Sequence, residues 1–330
     1  MRLLHASEVL GDTENLAIAR GYAEENDVDA MVLTGNLLDL NGCITPEDAK
    51  KVQNAAGFIS QSVQTNRPVP LGEMVDWLRK ADRADMAQPK LAAEDYFQVA
   101  ALFDENAGRQ YSDMRRTLAA FPGSVFMVPG WRDSKSFFDD LSRYSLHGKM
   151  EKVDGLEFAG FGAGGSHTAI PQTRQIDAPT LEAAKFFMKE GPDVVVTHVA
   201  PWSHQDFVYA GEGEQRQLVN GGDPTQYATM AACGADLWLY GSTVHGIGAS
   251  KTTLWNDRGV FVSNPGRLAK NDKTGIGGTF TVIDLEGNGG DVNKNVVQTI
   301  APYIIRGGKV EAVKSFGSLP EIPYDLVKGD

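Results

Sequence analysis

The sequence predicts an α/β fold in which short strands are buried between covering layers. Continuous apolar runs at 30–33, 125–128, 193–197 and 237–240 each stop at a polar or glycine-containing cluster, as strands buried on both faces do. Helical spacing between Glu14 and Glu25 connects the run at Leu3 and Leu4 to the run at 30–33, which is a βαβ opening. These patterns together indicate a mixed or parallel sheet covered by helices.

The other elements follow from the same kind of pattern. The segment 46–119 is rich in alanine, lysine, glutamate and glutamine, which predicts three or four helices with turns around 66–70 and 86–89. A strand at 156–165 leads into a glycine-rich loop. Near the end of the chain, strands at 259–263 and 278–285 precede a turn at 286–291 and a return strand at 295–300.

Composition and charge exclude several classes of function. The chain has 330 residues, of which 42% are hydrophobic, and its formal net charge is −12. That charge argues against a broad nucleic-acid or anionic-membrane surface, because both need positive potential along the contact. No apolar stretch reaches the length of a membrane span. The first ten residues contain one arginine and no full-length apolar core, so we expect no signal peptide there. Cys43 and Cys233 have neither disulfide-framework nor zinc spacing, so we expect buried thiols and a cytoplasmic location.

Five polar segments follow predicted strands and should line one rim, because ligands of open α/β sheets bind outside the carboxyl ends of the strands. These segments are Ala-Ser-Glu-Val-Leu-Gly at 6–11, Thr-Gly-Asn-Leu-Leu-Asp at 34–39, Val-Pro-Gly-Trp-Arg-Asp at 128–133, Val-Thr-His-Val-Ala-Pro at 196–201 and Tyr-Gly-Ser-Thr-Val-His-Gly at 240–246. In this order they resemble the five motifs of the calcineurin-like metallophosphoesterase superfamily. Asn-Pro-Gly at 264–266 is similar to the turn that follows the last motif in that family.

The resemblance implies a fold and a chemistry. The implied fold is a four-layer αββα sandwich of two mixed β-sheets flanked by helices, in a single domain over 1–330 with a helical insertion at 46–119. The implied chemistry is phosphoester hydrolysis by two divalent metal ions that activate water and polarise the phosphoryl group. Carboxylate, imidazole and amide ligands suit Mn, Zn or related ions.

Most positions that match the family's metal ligands carry a different residue here. Glu8 and Leu10 stand where the first motif has aspartate and histidine, and Asn36 replaces the bridging aspartate. Trp131 and Arg132 replace the asparagine ligand and the histidine that assists the leaving group. Arginine stays protonated and cannot act as a general acid at neutral pH.

Two further motifs of the family supply histidine ligands to the metal ions. His198 matches a metal histidine of the family. The last motif aligns in two registers, which place either Ser242 and Val244 or Thr243 and His245 at the ligand positions. We therefore expect a non-hydrolytic binding or scaffold module without a cofactor, with Trp131, Arg132 and His198 as ligand-binding residues. The alternative is an active phosphoesterase with one weakly bound metal ion, such as Mn or Zn, at Glu8, Asn36, His198 and His245.

Several roles remain open at the level of sequence. Glu8 accepts backbone hydrogen bonds, pairs with Arg132 or stays a metal ligand. Trp131 either fills the space of a lost ion or stacks on a base or sugar. Arg132 either forms a salt bridge with Glu8 or Asp133 or offers its guanidinium to a phosphate-containing ligand. Asp39 and Asp133 match positions that orient loops. A protein partner or a second copy of the chain is a further expectation for a scaffold.

Overall fold

The computed structural model describes residues 1–62, 69–82, 84–162, 170–176, 180–203, 207–210, 217–241, 247–254, 258–270, 277–286 and 296–316. The helices in these ranges are α1 (Thr13–Glu25), α2 (Pro46–Ser62), α3 (Leu71–Lys80), α4 (Ala87–Leu118), α5 (Phe137–Asp140), α6 (Thr180–Glu190) and α7 (Pro224–Cys233). The strands are β1 (Arg2–Ala6), β2 (Ala30–Thr34), β3 (Ser124–Val128), β4 (Lys149–Val153), β5 (Leu156–Phe161), β6 (Val194–Thr197), β7 (Phe207–Ala210), β8 (Gln217–Asn220), β9 (Leu237–Leu239), β10 (Gly248–Thr253), β11 (Gly259–Asn264), β12 (Thr279–Leu285), β13 (Val297–Arg306) and β14 (Lys309–Ala312).

Two mixed sheets of six strands form the centre of the fold. The first has the order β14-β13-β12-β1-β2-β3, and the second has the order β10-β11-β9-β6-β5-β4. β1, β2 and β3 run parallel, while β12 pairs antiparallel with β1. In the second sheet β5, β6, β9 and β11 run parallel. β7 and β8 pair with each other to form a separate two-stranded antiparallel sheet.

Side chains alternate between the two faces of each sheet, and this alternation builds three core clusters. In β1, Leu3 packs between the two sheets with residues such as Phe158, whereas Leu4 faces the helices. The outer face of the second sheet packs Trp238 against Phe187 of α6. Because both faces of each sheet are covered, the strands appear in the sequence as continuous apolar runs.

The predicted four-layer αββα sandwich is confirmed. Helices α1 and α4 cover the first sheet, the two sheets pack face to face, and α6 and α7 cover the second sheet. The described part of the segment 46–119 contains three α-helices and one short 3-10 helix (Ala84–Met86), in agreement with the predicted helical pattern. Tyr111 and Met114 of α4 belong to the same core cluster as Met31 of β2. Helix α4 is therefore part of the layer over the first sheet.

Three strands of the two large sheets were not predicted, and all are largely exposed. β4 and β10 are the edge strands of the second sheet, and β14 is an edge strand of the first. Most of their side chains are exposed or half-buried, so these strands carry no apolar run or strict alternation. The return strand β13 is also longer than the predicted 295–300. Antiparallel pairing with β12 and β14 extends it to Arg306.

The turn predicted at 86–89 is wrong in its position. Helix α4 begins at Ala87, so Pro89 lies in its first turn. Proline is tolerated there because the first backbone N–H groups of a helix have no intrahelical partner. In the described part of the chain, no helix is both long enough and apolar enough to cross a membrane.

Candidate functional site

The loops that follow β1 and β2 are joined edge to edge by backbone hydrogen bonds. Glu8 N donates to Gly35 O at 3.1 Å, and Leu10 N donates to Asn36 O at 3.1 Å. Glu8, Leu10 and Asn36 all have left-handed backbone conformations, with φ of 52°, 48° and 49°. Such φ values are uncommon outside glycine, and here the inter-loop bonds help to stabilise them. The structure thereby brings two of the predicted site residues, Glu8 and Asn36, side by side.

Asn36 bonds to residues of two neighbouring loops. Its Nδ2 donates to Oε1 of Glu8 at 2.8 Å, and its Oδ1 accepts from the backbone N of Arg132 at 2.9 Å. The side chain is buried, as is that of Glu8. An aspartate at position 36 would face Glu8 with a second carboxylate, which would repel it unless a cation lay between them. The amide instead joins the loops after β1, β2 and β3 without a cation.

Two glycines allow these loops to approach His198. A Cβ on Gly130 would lie 2.3 Å from Asn36 N and 2.9 Å from Cε1 of His198, so no larger residue fits there. Gly35 has a φ of 82°, and a Cβ on it would lie 2.6 Å from Nδ1 of His198. The Thr-Gly and Pro-Gly pairs at the strand ends are therefore needed for close packing around the imidazole.

His198 is a neutral, fully buried histidine, and one of its ring nitrogens has no hydrogen-bond partner among the described residues. Its Nδ1 lies 2.8 Å from the carbonyl oxygen of Thr34, so Nδ1 carries the hydrogen and Nε2 has a lone pair. Nε2 is buried without a hydrogen-bond partner in the described structure. Burial, helped by the nearby charge of Arg132, lowers the pKa of His198 to about 4, although the hydrogen bond to Thr34 acts in the opposite direction. At neutral pH the imidazole can accept a hydrogen bond or bind a cation.

Trp131 lies over His198 at the rim. The two rings meet edge to face, with centroids 5.4 Å apart and an angle of 84° between their planes. The indole is 37% exposed, so it covers the imidazole and also presents apolar surface to solvent. Both alternatives considered for Trp131, filling and stacking, agree with this position.

Glu8 and Arg132 interact through their charges but do not form an ion pair within the described residues. Burial raises the pKa of Glu8 to about 8, while the charge of Arg132 and the hydrogen bond from Asn36 act in the opposite direction. With a pKa near 8, most of the Glu8 carboxyl is protonated at pH 7. The close Glu8–Arg132 salt bridge considered from the sequence is absent among the described residues, and Arg132 is half-buried.

Asp133 ties the loops after β2 and β3 together, which agrees with the loop-orienting role expected from the sequence. Its Oδ1 accepts from the backbone N of Leu37 and Leu38, and its Oδ2 accepts from Gly130 N at 2.7 Å. The hydroxyl of Tyr111, on α4, donates to Oδ1 at 3.2 Å. Burial raises the pKa of Asp133 to about 6, so the carboxylate is mostly ionised at pH 7.

A second polar network lies behind the site, between the two sheets, and sequence reasoning missed its role. His5 contacts Thr34 Oγ1 through Nε2 at 3.0 Å and Ser263 Oγ through Nδ1 at 3.3 Å. Ser7 Oγ donates to Gly241 O at 2.9 Å. The presence of His5 in an otherwise apolar strand was the one available signal.

Several of the described rim residues either lack metal-ligand atoms or use them in hydrogen bonds. The side chains of Leu10 and Trp131 offer no ligand atoms, and Asn36 directs an amide N–H to Glu8. No group of three or more His, Cys, Asp or Glu side chains within the described ranges could hold a metal ion. The ligand positions of the last motif, Ser242 and Val244 or the alternative pair Thr243 and His245, lie outside the described residues.

No family model matches the chain, and no curated protein sequence matches it. Solved structures do resemble it. One crystal structure aligns over 96% of this chain and 98% of its own, with 14% identity and a TM-score of 0.53. Together with the two six-stranded mixed sheets and the loops described above, this similarity decides the fold.

The chain has a metallophosphoesterase-like fold.

Two other solved structures align with this chain at lower TM-scores. TT1561 of Thermus thermophilus has 15% identity over 94% of this chain and 97% of its own, with a TM-score of 0.39. NAD nucleotidase (NadN) of Haemophilus influenzae has 9% identity and a TM-score of 0.44. That alignment covers 99% of this chain, which spans about half, 54%, of NadN. At these identities the likeness concerns the fold alone.

Proposed function

We propose that the protein is a non-hydrolytic binding module with a metallophosphoesterase-like fold, and that its rim binds a phosphate-containing small ligand through Arg132. The observation that carries this proposal is the Asn36–Glu8 hydrogen bond. At 2.8 Å it joins the positions of two expected metal ligands directly to each other. A bridging carboxylate is central to a dinuclear site, because its negative charge allows two dications to lie close together.

Arg132 supplies a positive charge at the same rim. Its backbone is positioned by Asn36 Oδ1, and its charge acts on both Glu8 and His198. A guanidinium binds phosphate through two parallel hydrogen bonds and needs no metal ion to do so. Because Glu8 is mostly protonated at pH 7, it competes only weakly with phosphate for the Arg132 guanidinium. Trp131 precedes Arg132 in the chain and contacts the ring of His198, and these two residues complete the proposed ligand-binding set.

Calorimetric titration with inorganic phosphate tests the proposal. Wild-type protein should bind phosphate, and Arg132→Ala should weaken binding about tenfold or more, because charge-assisted hydrogen bonds contribute roughly 1.5–3 kcal/mol. Arg109→Ala is the matched control, since Arg109 is an exposed arginine on α4 that pairs with Glu105. Equal binding by the wild type and Arg132→Ala would contradict the proposal. A manganese-supplemented phosphodiester assay should show no turnover.

A one-metal phosphoesterase is the second candidate, and the unpartnered Nε2 of His198 favours it. That nitrogen is neutral, buried and able to bind Mn or Zn, with Glu8, Asn36 and His245 as the remaining proposed ligands. Elemental analysis after mild dialysis separates the candidates. One metal ion per chain, together with turnover that is lost in His198→Ala, would replace the binding-module proposal with this one.

The scaffold part of the proposal concerns partners. The helices of the segment 46–119 expose Phe58, Trp77 and Leu91, which are 44%, 47% and 54% accessible. Large apolar side chains that form one contiguous exposed patch are typical of contact surfaces. We therefore propose a protein partner or a second copy of this chain, and light scattering across a concentration series tests the latter. The free, buried thiols Cys43 and Cys233 agree with the proposed cytoplasmic location.

A further inference from the structure

A polar cleft opens at the rim beside Arg132, and helix α4 supplies part of its wall. The cleft has a volume of about 560 Å³, and its lining includes Gly11, Asp39, Gln110 and Arg132. These residues belong to the loop after β1, the loop after β2, helix α4 and the loop after β3, respectively. Ligand pockets typically measure ~300–1,000 Å³. A side chain of the segment 46–119 therefore lines the same space as the arginine proposed to bind phosphate.

Gln110 binds the backbone of Asp39 through both ends of its side-chain amide. Asp39 N donates to Oε1 of Gln110 at 2.9 Å, and Nε2 donates to Asp39 O at 2.9 Å. Asn106, one helical turn earlier on α4, donates to Cys43 O at 2.8 Å. Two hydrogen bonds from one planar amide fix the orientation of the bound residue as well as its position. Helix α4 therefore holds the loop after β2 at Asp39 and again at Cys43.

Two glycines leave the space that the Gln110 amide occupies. A Cβ on Gly11 would lie 2.9 Å from Oε1 of Gln110, and a Cβ on Gly42 would lie 2.9 Å from its Nε2. Gly11 N also donates to Leu37 O at 2.7 Å, which joins the loops after β1 and β2. Both loops therefore pack against this one side chain of α4.

Tyr111, the next residue of α4, holds the loop that carries Arg132. Its hydroxyl donates to Oδ1 of Asp133 at 3.2 Å and accepts from Ser134 N at 3.1 Å. Neighbouring residues of one helix thus bind the loop after β2 and the loop after β3. The position of α4 sets the separation between these two walls of the cleft.

The carboxylate of Asp39 is directed to its own loop. Its Oδ1 accepts from Asn41 N at 3.1 Å, and a Cβ on Gly42 would lie 3.1 Å from its Oδ2. Among the described residues it forms no ion pair with Arg132, although both residues line the cleft. A carboxylate that reached the guanidinium would compete with phosphate for the same hydrogen bonds. The orientation of Asp39 therefore matters for anion binding.

We propose that Gln110 is a positioning residue for the anion site at Arg132, and that it acts by holding the Asp39 carboxylate to its own loop. The inference rests on the proposed phosphate binding at Arg132 and names the contact that controls its affinity. Without the two bonds from Gln110, Asp39 is released and reaches the guanidinium in part of the molecules. Apparent affinity falls by the fraction of molecules that keep the binding geometry. The segment 46–119 thereby takes part in the proposed binding site.

Calorimetric titration with inorganic phosphate at pH 7 tests this role. Gln110→Met keeps the length of the side chain but removes both bonds to Asp39, and it should weaken phosphate binding about fivefold or more. Gln98→Met is the matched control, because Gln98 is an exposed glutamine of the same helix, and it should bind phosphate as the wild type does. The double variant Gln110→Met/Asp39→Asn removes the competing charge and should recover most of the lost affinity. A purely structural role of Gln110 predicts no such recovery.

Hydrogen–deuterium exchange gives a local readout that does not depend on phosphate. In Gln110→Met the backbone amides of 37–43 should exchange faster than in the wild type, while those of β9 should be unchanged. Gln110→Ala is a second variant that avoids any clash of the methionine with Gly11 or Gly42, and it should behave in the same way. Unchanged exchange at 37–43 in both variants would overturn the inference.

The titration outcomes separate this inference from the proposed function. Phosphate binding that depends on Arg132 but is equal in the wild type and both Gln110 variants would overturn the positioning role and leave the proposed function standing. Weaker binding without recovery in the double variant would also overturn it, because Gln110 would then not act through Asp39. Absence of phosphate binding by the wild type would overturn both.

Discussion

Replacing Asp133 by alanine should destabilise the whole molecule, because this carboxylate joins two loops of the rim to helix α4. The side chain is 1% exposed and accepts hydrogen bonds from three backbone N–H groups and from the hydroxyl of Tyr111. In Asp133→Ala all four donors lose this acceptor inside the protein. The loops after β2 and β3 would then lack their shared anchor beneath Arg132.

The magnitude follows from two opposing contributions. A buried donor without a partner costs about 1–3 kcal/mol, so four donors at about 1.5 kcal/mol each give a loss of about 6 kcal/mol. Removing the buried carboxylate charge offsets part of this loss of stability. Burial raises the pKa of Asp133 from its ordinary 3.8 to about 6, which corresponds to about 3 kcal/mol of unfavourable ionisation at pH 7. We therefore expect Asp133→Ala to lower the free energy of unfolding by about 3 kcal/mol.

Urea unfolding at pH 7, followed by tryptophan fluorescence, measures this loss. Tyr111→Phe removes one of the four donors and should cost about 1 kcal/mol, which gives a graded series. Asp104→Ala is the control, because Asp104 pairs with Arg174 at a half-exposed site and should cost under about 1 kcal/mol. If Asp133→Ala is no more destabilising than Asp104→Ala, the carboxylate does not anchor these loops as we infer.

Three further predictions concern the same region and the thiols. Gly130→Ala should displace Asn36 and abolish phosphate binding in the titration described above, because the added Cβ would lie 2.3 Å from Asn36 N. Glu8→Gln should stabilise the protein increasingly from pH 5.5 to 7.5. In that range the unfolded Glu8 is ionised while the folded Glu8, with a pKa near 8, keeps its proton, so the wild type loses up to about 1.4 kcal/mol per pH unit relative to the variant. Parallel urea curves that do not diverge with pH would contradict this pKa. Burial raises the pKa of Cys43 to about 12 and also raises that of Cys233, so both thiols should resist iodoacetamide until urea unfolds the protein; rapid native alkylation would show that they are accessible.

The sequence alone determined the architecture and the chemical character of the rim. The apolar runs of β1, β2, β3, β6 and β9 are visible because strands covered on both faces need apolar residues throughout. The residue types at the strand ends could also be read directly, including the substitutions at Leu10 and Asn36. The exposed edge strands were not predicted because solvent-exposed strand positions accept most residue types and so leave no apolar pattern.

Only the tertiary structure decided which polar groups pair with one another. From the sequence, Glu8 could pair with Arg132 as well as with any other donor, and the backbone path of the loop after β2 puts the Asn36 amide there instead. Arg132 and Arg267 line one cleft only because the strands that precede them, β3 and β11, end at the same rim. Hydrogen bonds and ion pairs act over a few ångströms. Their partners are therefore set by how distant segments pack, which the local pattern of residues does not contain.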